Sequence, residues 1–169
     1  KKAETLDFYN LALKVKEITQ KYNVPLIIND RIDIALAIDA EGVHIGQSDM
    51  PAQIARLLIG KDKILGVSAA NIKEAKKAQR DSADYIGVGA VYPTNTKDDA
   101  TSVSKKELKE IVKSVDIPAV AIGGITQENT HELNDCGIYG ISVGSAIMNS
   151  QNPKTASENL LKEFKAKNS

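Results

Sequence analysis

The sequence predicts an α/β fold built on parallel strands, and three observations support that class. Short apolar runs rich in β-branched residues recur about every 18 to 32 residues along the chain. Each run is followed by a polar or glycine-rich turn and then by a segment with helical periodicity. The runs are apolar on both faces, which is typical of strands covered on both sides of a parallel sheet. Repeated strand–helix units of this kind predict parallel strands joined by helices.

The pattern places six strands along the chain, each followed by a helical segment. The strands are expected at residues 24–28, 42–45, 64–67, 85–91, 117–122 and 139–143. The helices that follow them are expected at about 32–39, 51–59, 71–80, 104–115, 127–135 and 153–167. A further helix precedes the first strand, because Phe8, Leu11, Val15, Ile18 and Tyr22 recur at intervals of 3 and 4 residues. That spacing puts the five side chains on one stripe of a helix.

Composition limits the classes of partner and compartment. The chain has 169 residues and a formal net charge of zero, so it lacks the positive electrostatic field that would attract nucleic acid. Cys136 is the only cysteine, which excludes an internal disulfide and a cysteine-ligated zinc site. No apolar run reaches the ~18 residues of a membrane helix, and the first residues do not resemble a secretion signal. We therefore expect one cytoplasmic domain spanning residues 1–169, with neither a nucleic-acid nor a membrane partner.

Polar residues that are candidates for binding or catalysis follow the predicted strands. They are Asn29-Asp30, residues 46–49, Ser68, residues 93–97, residues 123–126 and residues 144–146. All of them lie on the carboxyl side of a strand, which is where ligands bind both in (β/α)₈ barrels and in open α/β sheets. Their position therefore predicts a site without deciding between these two architectures.

Two glycine-containing turns favour the barrel. Gly123-Gly124, followed by Thr126, is expected to open a helix, and Gly144-Ser145 is expected to open a short additional helix. Glycine lets backbone N–H groups approach an anion, and a helix N-terminus favours negative charge. Barrels often bind phosphate in the loops after strands seven and eight. On that reading the six strands are strands 3–8, and the first two are missing from this chain. The alternative is that both turns hold glycine for ordinary turn geometry.

Asp30 and Asp49 follow consecutive strands and are candidate ligands for Mg²⁺. Magnesium commonly takes one or two carboxylates and completes its shell with water and substrate phosphate. Each aspartate also has a structural interpretation. Asp30 could pair with Arg31 or cap the next helix, and Asp49 before Pro51 has the pattern of a helix N-cap. Taken alone, Asp49 fits the cap better than the metal site.

Lys97 and the two histidines complete the candidate chemistry. Lys97 follows two threonines in a turn, where an ammonium and short hydroxyl donors suit a diphosphate; the alternative is a solvated turn. His44 lies within a strand and His131 within a helical segment, and neither has a partner at ligand spacing. We assign no catalytic role to either histidine. No Ser-His-Asp or Cys-His set is evident, which argues against hydrolysis through a covalent intermediate.

Six stretches of the chain form a recognisable set: residues 24–31, 42–49, 66–68, 84–89, 92–97 and 121–126. Taken together, in this order and spacing, they resemble the thiamine-phosphate synthase family over nearly the whole chain. The resemblance implies a (β/α)₈ barrel that joins an aminopyrimidine methyl diphosphate to a thiazole phosphate, releasing pyrophosphate by dissociative substitution. It implies that Asp30 and Asp49 hold Mg²⁺, and that Lys97 and Ser68 act in catalysis.

The resemblance also implies a set of substrate-binding residues. Those expected at the pyrimidine diphosphate are Asn29, Ser68 and Lys97. Those expected at the thiazole phosphate are Thr94, Asn95, Thr96, Gly124, Gly144 and Ser145. By spacing, Lys1 falls on the lysine of the family's Gln-x-Arg-x-Lys pattern, whose other members are absent, so we expect a longer native chain. Lys1 is then either a diphosphate ligand or a charged terminus.

Other functions stay open at this point. A related thiazole tautomerase has a similar barrel but is expected to carry a histidine where this chain has Ala90. A non-catalytic barrel that binds thiazole phosphate would keep the glycine turns without releasing pyrophosphate. A phosphate-binding barrel enzyme of another pathway would explain those turns but not residues 92–97. The sequence leaves self-association into a homo-oligomer open.

Overall fold

The computed structural model describes residues 4–93 and 102–165. These residues form two compact units. The first contains the described chain through Ser68 together with Lys77–Tyr85, and the second contains Ala69–Lys76 together with the described chain from Ile86 onward.

Helices and strands alternate along the described chain, as the sequence predicts. The helices are α1 (Thr5–Lys21), α2 (Ile32–Ala37), α3 (Ala52–Ile59), α4 (Ile72–Arg80), α5 (Lys105–Lys113), α6 (Ser145–Met148) and α7 (Pro153–Lys165). The strands are β1 (Ile27–Asn29), β2 (Gly42–Ile45), β3 (Ile64–Ala69), β4 (Tyr85–Val88), β5 (Ala119–Ile122) and β6 (Gly140–Ser142). None of the described helices is long and apolar enough to cross a membrane.

The first unit is built on three parallel strands. β1 pairs with β2 so that Asn29 lies opposite His44, and β2 pairs with β3 so that His44 lies opposite Gly66. Val43 and Leu65 are fully buried, because these central strands are covered on both faces. The shared register brings the carboxyl ends of all three strands to one edge.

Helix α1 forms where the sequence predicts, but only part of its apolar stripe, Phe8 and Val15, is half-buried. Leu11, Ile18 and Tyr22 are exposed, whereas Ala12 and Lys16 are buried. Lys16 lies inward because its ammonium donates hydrogen bonds to the carbonyl oxygens of residues 38 and 39, which follow α2. These hydrogen bonds at the C-terminus of α2 thus hold one face of α1 against the rest of the unit.

The second unit holds another parallel set. β4 pairs with β5, and β5 pairs with β6 with Ile122 opposite Ser142. Ile86, Leu108 and Leu133 are fully buried in its core. A reciprocal capping box at Ser104 begins α5, since its hydroxyl accepts from the Glu107 backbone N–H while the Glu107 carboxylate accepts from the Ser104 backbone N–H.

One helical segment of the second unit is shorter than predicted, and another forms as predicted. The helix expected at 127–135 is a single 3₁₀ turn, Thr130–Leu133, so the expectation that Gly123-Gly124, followed by Thr126, opens a helix is wrong. Asn129 explains the difference, because its side chain accepts from the Thr126 N–H and donates to the Gly124 carbonyl, which closes a turn instead. The short helix expected after Gly144 is confirmed as α6.

Candidate functional site

In the first unit, Asn29 and Asp30 lie at the carboxyl end of β1. Asp30 has a left-handed backbone (φ 63°), and its N–H donates to the His44 carbonyl of the neighbouring strand at 2.8 Å. The next residue, Arg31, is the N-cap of α2 and pairs with Asp33 at 2.6 Å, so Asp30 does not cap that helix. The β1–β2 hydrogen bond fixes where the Asp30 backbone leaves the sheet.

Asp49 closes the turn that follows β2. Its carboxylate accepts a hydrogen bond from the Gly46 N–H at 2.8 Å, and its own N–H donates to the Gly46 carbonyl at 3.3 Å. The N-cap of α3 is Pro51, with no side-chain cap, so the prediction that Asp49 caps this helix is wrong. One carboxylate oxygen of Asp49 therefore holds the turn that begins at Gly46, just after β2. Gly46 lies two residues after His44, whose carbonyl accepts the hydrogen bond from Asp30.

Ser68 ends the row of site residues, near the end of β3. Its hydroxyl oxygen lies 3.0 Å from His44 Nε2, and its carbonyl accepts from the Gln47 side chain at 2.6 Å. The three adjacent strands β1, β2 and β3 thus present Asn29, Asp30, Asp49 and Ser68 at one edge.

His44 also contacts Tyr85, the first residue of β4. The Tyr85 hydroxyl lies 3.0 Å from His44 Nδ1, and the two ring centroids are 5.4 Å apart. Gly66 lies between them on β3, and a Cβ at this position would overlap both the Tyr85 ring and His44 Nδ1. The sequence pattern indicates no function for Tyr85 and no catalytic role for His44. The only available signal was glycine inside a strand, which marks close approach by a neighbour.

The donor set at this edge suits magnesium shared with a substrate. Among residues 4–93 and 102–165, no group of three or more His, Cys, Asp and Glu side chains is arranged to hold a metal. Asp30 and Asp49, on adjacent strand ends, are two carboxylates that would supply hard oxygen ligands to a metal ion without forming a complete protein cage. Mg²⁺ is commonly bound by one or two carboxylates, with water and phosphate oxygens as its other ligands.

The first unit also contains a cavity of about 590 Å³, which lies away from these residues. Its lining includes Pro25, Glu41 and Lys63, which precede β1, β2 and β3, respectively. The cavity is therefore at the amino ends of the strands, opposite the candidate site.

In the second unit, the Gly123-Gly124 turn follows β5. Both glycines have positive φ, and a Cβ on Gly124 would lie 2.7 Å from the Tyr92 Cβ. The Tyr92 N–H donates to the Gly123 carbonyl at 3.1 Å, and Asn129 holds the Gly124 carbonyl at 2.9 Å. The turn is thus fixed from two sides, and only glycine fits at position 124.

Gly144 and Ser145 lie beside that turn at the end of the neighbouring strand. Since β5 and β6 are parallel and Ile122 lies opposite Ser142, Gly124 and Gly144 follow their strands at the same distance. Gly144 precedes α6, and its carbonyl accepts from the N–H groups of residues 147 and 148. Both Gly144 and Ser145 are exposed to solvent. The half-buried Gly123-Gly124 turn and the exposed Gly144-Ser145 turn thus lie side by side at the carboxyl ends of β5 and β6.

Tyr92 links the β4 loop to the 3₁₀ turn. Its hydroxyl donates to the Asn129 carbonyl at 3.0 Å and lies 3.3 Å from the Glu132 carboxylate, which also pairs with Lys105. Burial, with the negative charge of Glu132 beside it, raises the pKa of Tyr92 to about 12. The phenol therefore stays a neutral hydrogen-bond donor that orders the chain next to the glycine turn.

Comparison with known proteins identifies the family. The model of the thiamine monophosphate synthase family matches residues 1–147. The chain belongs to this family. Thiamine-phosphate synthase of Methanobrevibacter smithii is 89% identical over 169 residues, which are 100% of this chain and 81% of that protein. The enzyme of the same name from Clostridium botulinum is 58% identical, over 97% of this chain and 77% of that protein.

A solved structure supports the same assignment. Thiamine phosphate pyrophosphorylase from Pyrococcus furiosus superimposes with a TM-score of 0.91 at 38% identity, covering 98% of this chain and 80% of that one. The chain is thus an enzyme of the thiamine-phosphate synthase family with an α/β fold of parallel strands.

The structure describes only part of the site that the family resemblance implies. Asn29, Asp30, Asp49 and Ser68 are brought together at one edge of the first unit. Gly124, Gly144 and Ser145 are brought together in the second. The remaining expected synthase residues, Lys1, Thr94, Asn95, Thr96 and Lys97, lie outside the described residues.

Proposed function

We propose that this enzyme condenses 4-amino-2-methylpyrimidine-5-methyl diphosphate with 4-methyl-5-(2-phosphoethyl)thiazole, giving thiamine phosphate and pyrophosphate. The observation that carries the proposal is the row of Asn29, Asp30, Asp49 and Ser68 at one strand edge. Two carboxylates and two neutral polar groups suit a diphosphate that arrives with magnesium. Family membership supports the same reaction.

We further propose that the six strands are strands 3–8 of a (β/α)₈ barrel and that residues 1–169 belong to one barrel domain. The regular strand–helix alternation and the carboxyl-end position of every described site residue support this architecture. A cytoplasmic location and self-association stay predictions. The mass of the protein in dilute solution, measured by light scattering, tests self-association directly.

The proposed chemistry needs charge stabilisation rather than a strong base. In a dissociative substitution the diphosphate leaves first, the electron-rich pyrimidine stabilises the methylene cation, and the thiazole nitrogen then attacks. Asp30 and Asp49 would hold Mg²⁺, which when bound neutralises charge on the diphosphate oxygens. Ser68 and Asn29 would donate hydrogen bonds to the diphosphate or orient it, and Lys97 would add a positive charge to the departing group.

The second substrate is proposed to bind through its phosphate at the glycine turns. Gly124 lies in a turn that packs against Tyr92 and admits no side chain, and Gly144 and Ser145 follow the neighbouring strand at the same level. Backbone N–H groups of such glycine turns can bind an anion. The residues Thr94, Asn95 and Thr96 are proposed to complete this phosphate site.

A test of the reaction compares two aspartate variants. Asp49→Asn keeps an oxygen that can accept from the Gly46 N–H but removes the charge, so the turn after β2 should survive. We expect pyrophosphate release in the presence of both substrates and Mg²⁺ to fall at least about a hundredfold, as when one preorganised charge is lost. Asp62→Asn, at an exposed position before β3, is the matched control and should retain full activity.

The outcomes separate the competing functions. Magnesium-dependent formation of thiamine phosphate and pyrophosphate supports the synthase. Thiazole phosphate binding without pyrophosphate release would instead indicate a non-catalytic barrel. Isomerisation of a thiazole without magnesium would indicate the tautomerase, although Ala90 supplies no base at the position where that family is expected to have a histidine. Full activity of Asp49→Asn would remove Asp49 from the proposed metal site.

A further inference from the structure

His44, Tyr85 and Ser68 form a continuous hydrogen-bonded chain that the proposed reaction does not yet use. Tyr85 contacts His44 Nδ1 and Ser68 contacts His44 Nε2, both at 3.0 Å. Both ring nitrogens of one imidazole are therefore engaged, and the chain ends on a proposed diphosphate-binding hydroxyl. All three residues belong to the first unit.

Gly66 makes this chain of contacts possible. It lies opposite His44 in the β2–β3 register, and the space that its side chain would fill is occupied by the Tyr85 ring and His44 Nδ1. Tyr85 thus crosses over β3 to reach a residue of β2. Any side chain at position 66 would prevent that approach.

The Tyr85 hydroxyl determines which group donates and which accepts in each of these hydrogen bonds. A phenol has one hydrogen to donate, and within the part of the chain that the structure describes the Tyr85 hydroxyl has no other hydrogen-bond partner. If Nδ1 carried the proton, the half-buried phenol hydrogen would be left without an acceptor, which costs free energy. Tyr85 therefore donates to Nδ1, and burial, which raises the pKa of Tyr85, keeps that proton in place.

The histidine tautomer then sets the orientation of Ser68. With Nδ1 accepting, the proton of a neutral imidazole lies on Nε2, which donates to the Ser68 hydroxyl oxygen. The serine hydroxyl is then an acceptor toward His44, and its own hydrogen is available to a ligand. The opposite tautomer would accept the serine hydrogen and leave only lone pairs facing the ligand.

We propose that Tyr85 and His44 are positioning residues that turn the Ser68 hydroxyl into a dedicated donor for an anionic phosphate oxygen. The inference rests on the proposed function, because that function places a diphosphate beside Ser68. Tyr85 acts at a distance, through the tautomer of His44, and touches no substrate.

The tautomer can be read directly by nitrogen NMR. The chain has only two histidines, so His131→Gln leaves His44 as the only imidazole in the ¹⁵N spectrum. At a pH about two units above the ordinary imidazole pKa, we expect a protonated Nε2 and an unprotonated Nδ1. Tyr85→Phe in the same background should give a mixture of the two tautomers. A proton on Nδ1 in the parent protein would overturn the proposal.

Binding of inorganic pyrophosphate with Mg²⁺, measured by calorimetry, tests the consequence. Ser68→Ala and Tyr85→Phe should each weaken binding about tenfold, as expected when a hydrogen bond to an anion is lost. The double variant should bind no more weakly than the weaker single variant, because both changes remove the same donor. Ser68→Thr keeps a hydroxyl and should retain both affinity and sensitivity to Tyr85→Phe. Tyr139→Phe, at a tyrosine that is 80% exposed, is the matched control.

The possible results distinguish this inference from the proposed function. If the losses of the two single variants multiply in the double variant, Tyr85 does not act through Ser68 and the inference is wrong. If Tyr85→Phe lowers only thermal stability and leaves pyrophosphate affinity unchanged, its role is structural and the inference is again wrong. If the parent protein does not bind pyrophosphate, the proposed function fails, while the NMR experiment still decides the order of donors.

Discussion

Replacing Arg56 should lower the stability of the fold without lowering the activity of the folded enzyme. From α3, its guanidinium donates to the carbonyl oxygens of Gly60, Lys63 and Ser82 and to the Asp84 carboxylate, at distances of 2.7 to 3.1 Å. The side chain is 16% exposed. These partners lie before β3 and β4, so Arg56 ties together the amino ends of two strands, opposite the candidate site.

The structure allows a rough magnitude. Replacing Arg56 by Met keeps the apolar stem but leaves three carbonyl groups without this donor, at about 1 kcal/mol each. The Asp84 carboxylate is 51% exposed and still accepts from the Leu65 N–H, so losing its ion pair should add little. We therefore expect Arg56→Met to lower the free energy of unfolding by about 3 kcal/mol.

Urea unfolding followed by far-ultraviolet circular dichroism measures this loss. With a slope of about 2 kcal/mol per molar urea, the midpoint should fall by about 1.5 M. Arg80→Met, at an exposed arginine that ends α4, should leave the midpoint within about 0.3 M of the parent protein. Equal shifts in the two variants would refute the reasoning, and so would loss of turnover by folded Arg56→Met protein.

Two further predictions concern the proposed site and the second unit. Lys97→Ala should raise the barrier to pyrophosphate release by about 2–4 kcal/mol, because a preorganised positive charge is lost; a kcat equal to that of Lys61→Ala, at an exposed lysine, would contradict this role. The hydrogen bond from Lys105 holds the pKa of Glu132 below its ordinary value of 4.5. Glu132→Gln should therefore be less stable than the parent protein at pH 7. The difference in urea midpoint should disappear as the pH falls through the folded-state pKa, and a difference independent of pH would contradict it.

The strands were predictable because local composition decides them. The range 42–45 is confirmed residue for residue, and each of the other five predicted strands overlaps an observed one. Fully buried parallel strands are continuous apolar runs, and such runs are visible without knowledge of tertiary contacts.

The packed face of α1 was not predictable by the same means. Periodicity selects the large apolar side chains, including Leu11 and Ile18, but these two are exposed, and the buried residues of the helix are Ala12 and Lys16. That choice depends on carbonyl groups more than 20 residues away along the chain, which the ammonium of Lys16 reaches. The extent of the 3₁₀ turn after Gly124 similarly depends on Asn129, whose side chain substitutes for backbone hydrogen bonds.

The candidate site was predictable wherever strand ends define it. Asn29, Asp30, Asp49 and Ser68 follow from the position of the strands alone. The turn that Asp49 closes, and the contact of Tyr85 with His44, did not follow. Both depend on which atoms face each other in space, and the second also depends on the absence of a side chain on an intervening strand.

The crossing of Tyr85 over Gly66 constrains how this protein can be changed by mutation. A Cβ at position 66 would enter space held by both the Tyr85 ring and His44 Nδ1, so both neighbours would have to give way in the same step. Randomising position 66 alone should thus yield few functional variants, and a smaller residue 85 would not by itself make room. In engineering, residues 44, 66 and 85 should therefore be kept or replaced as one set.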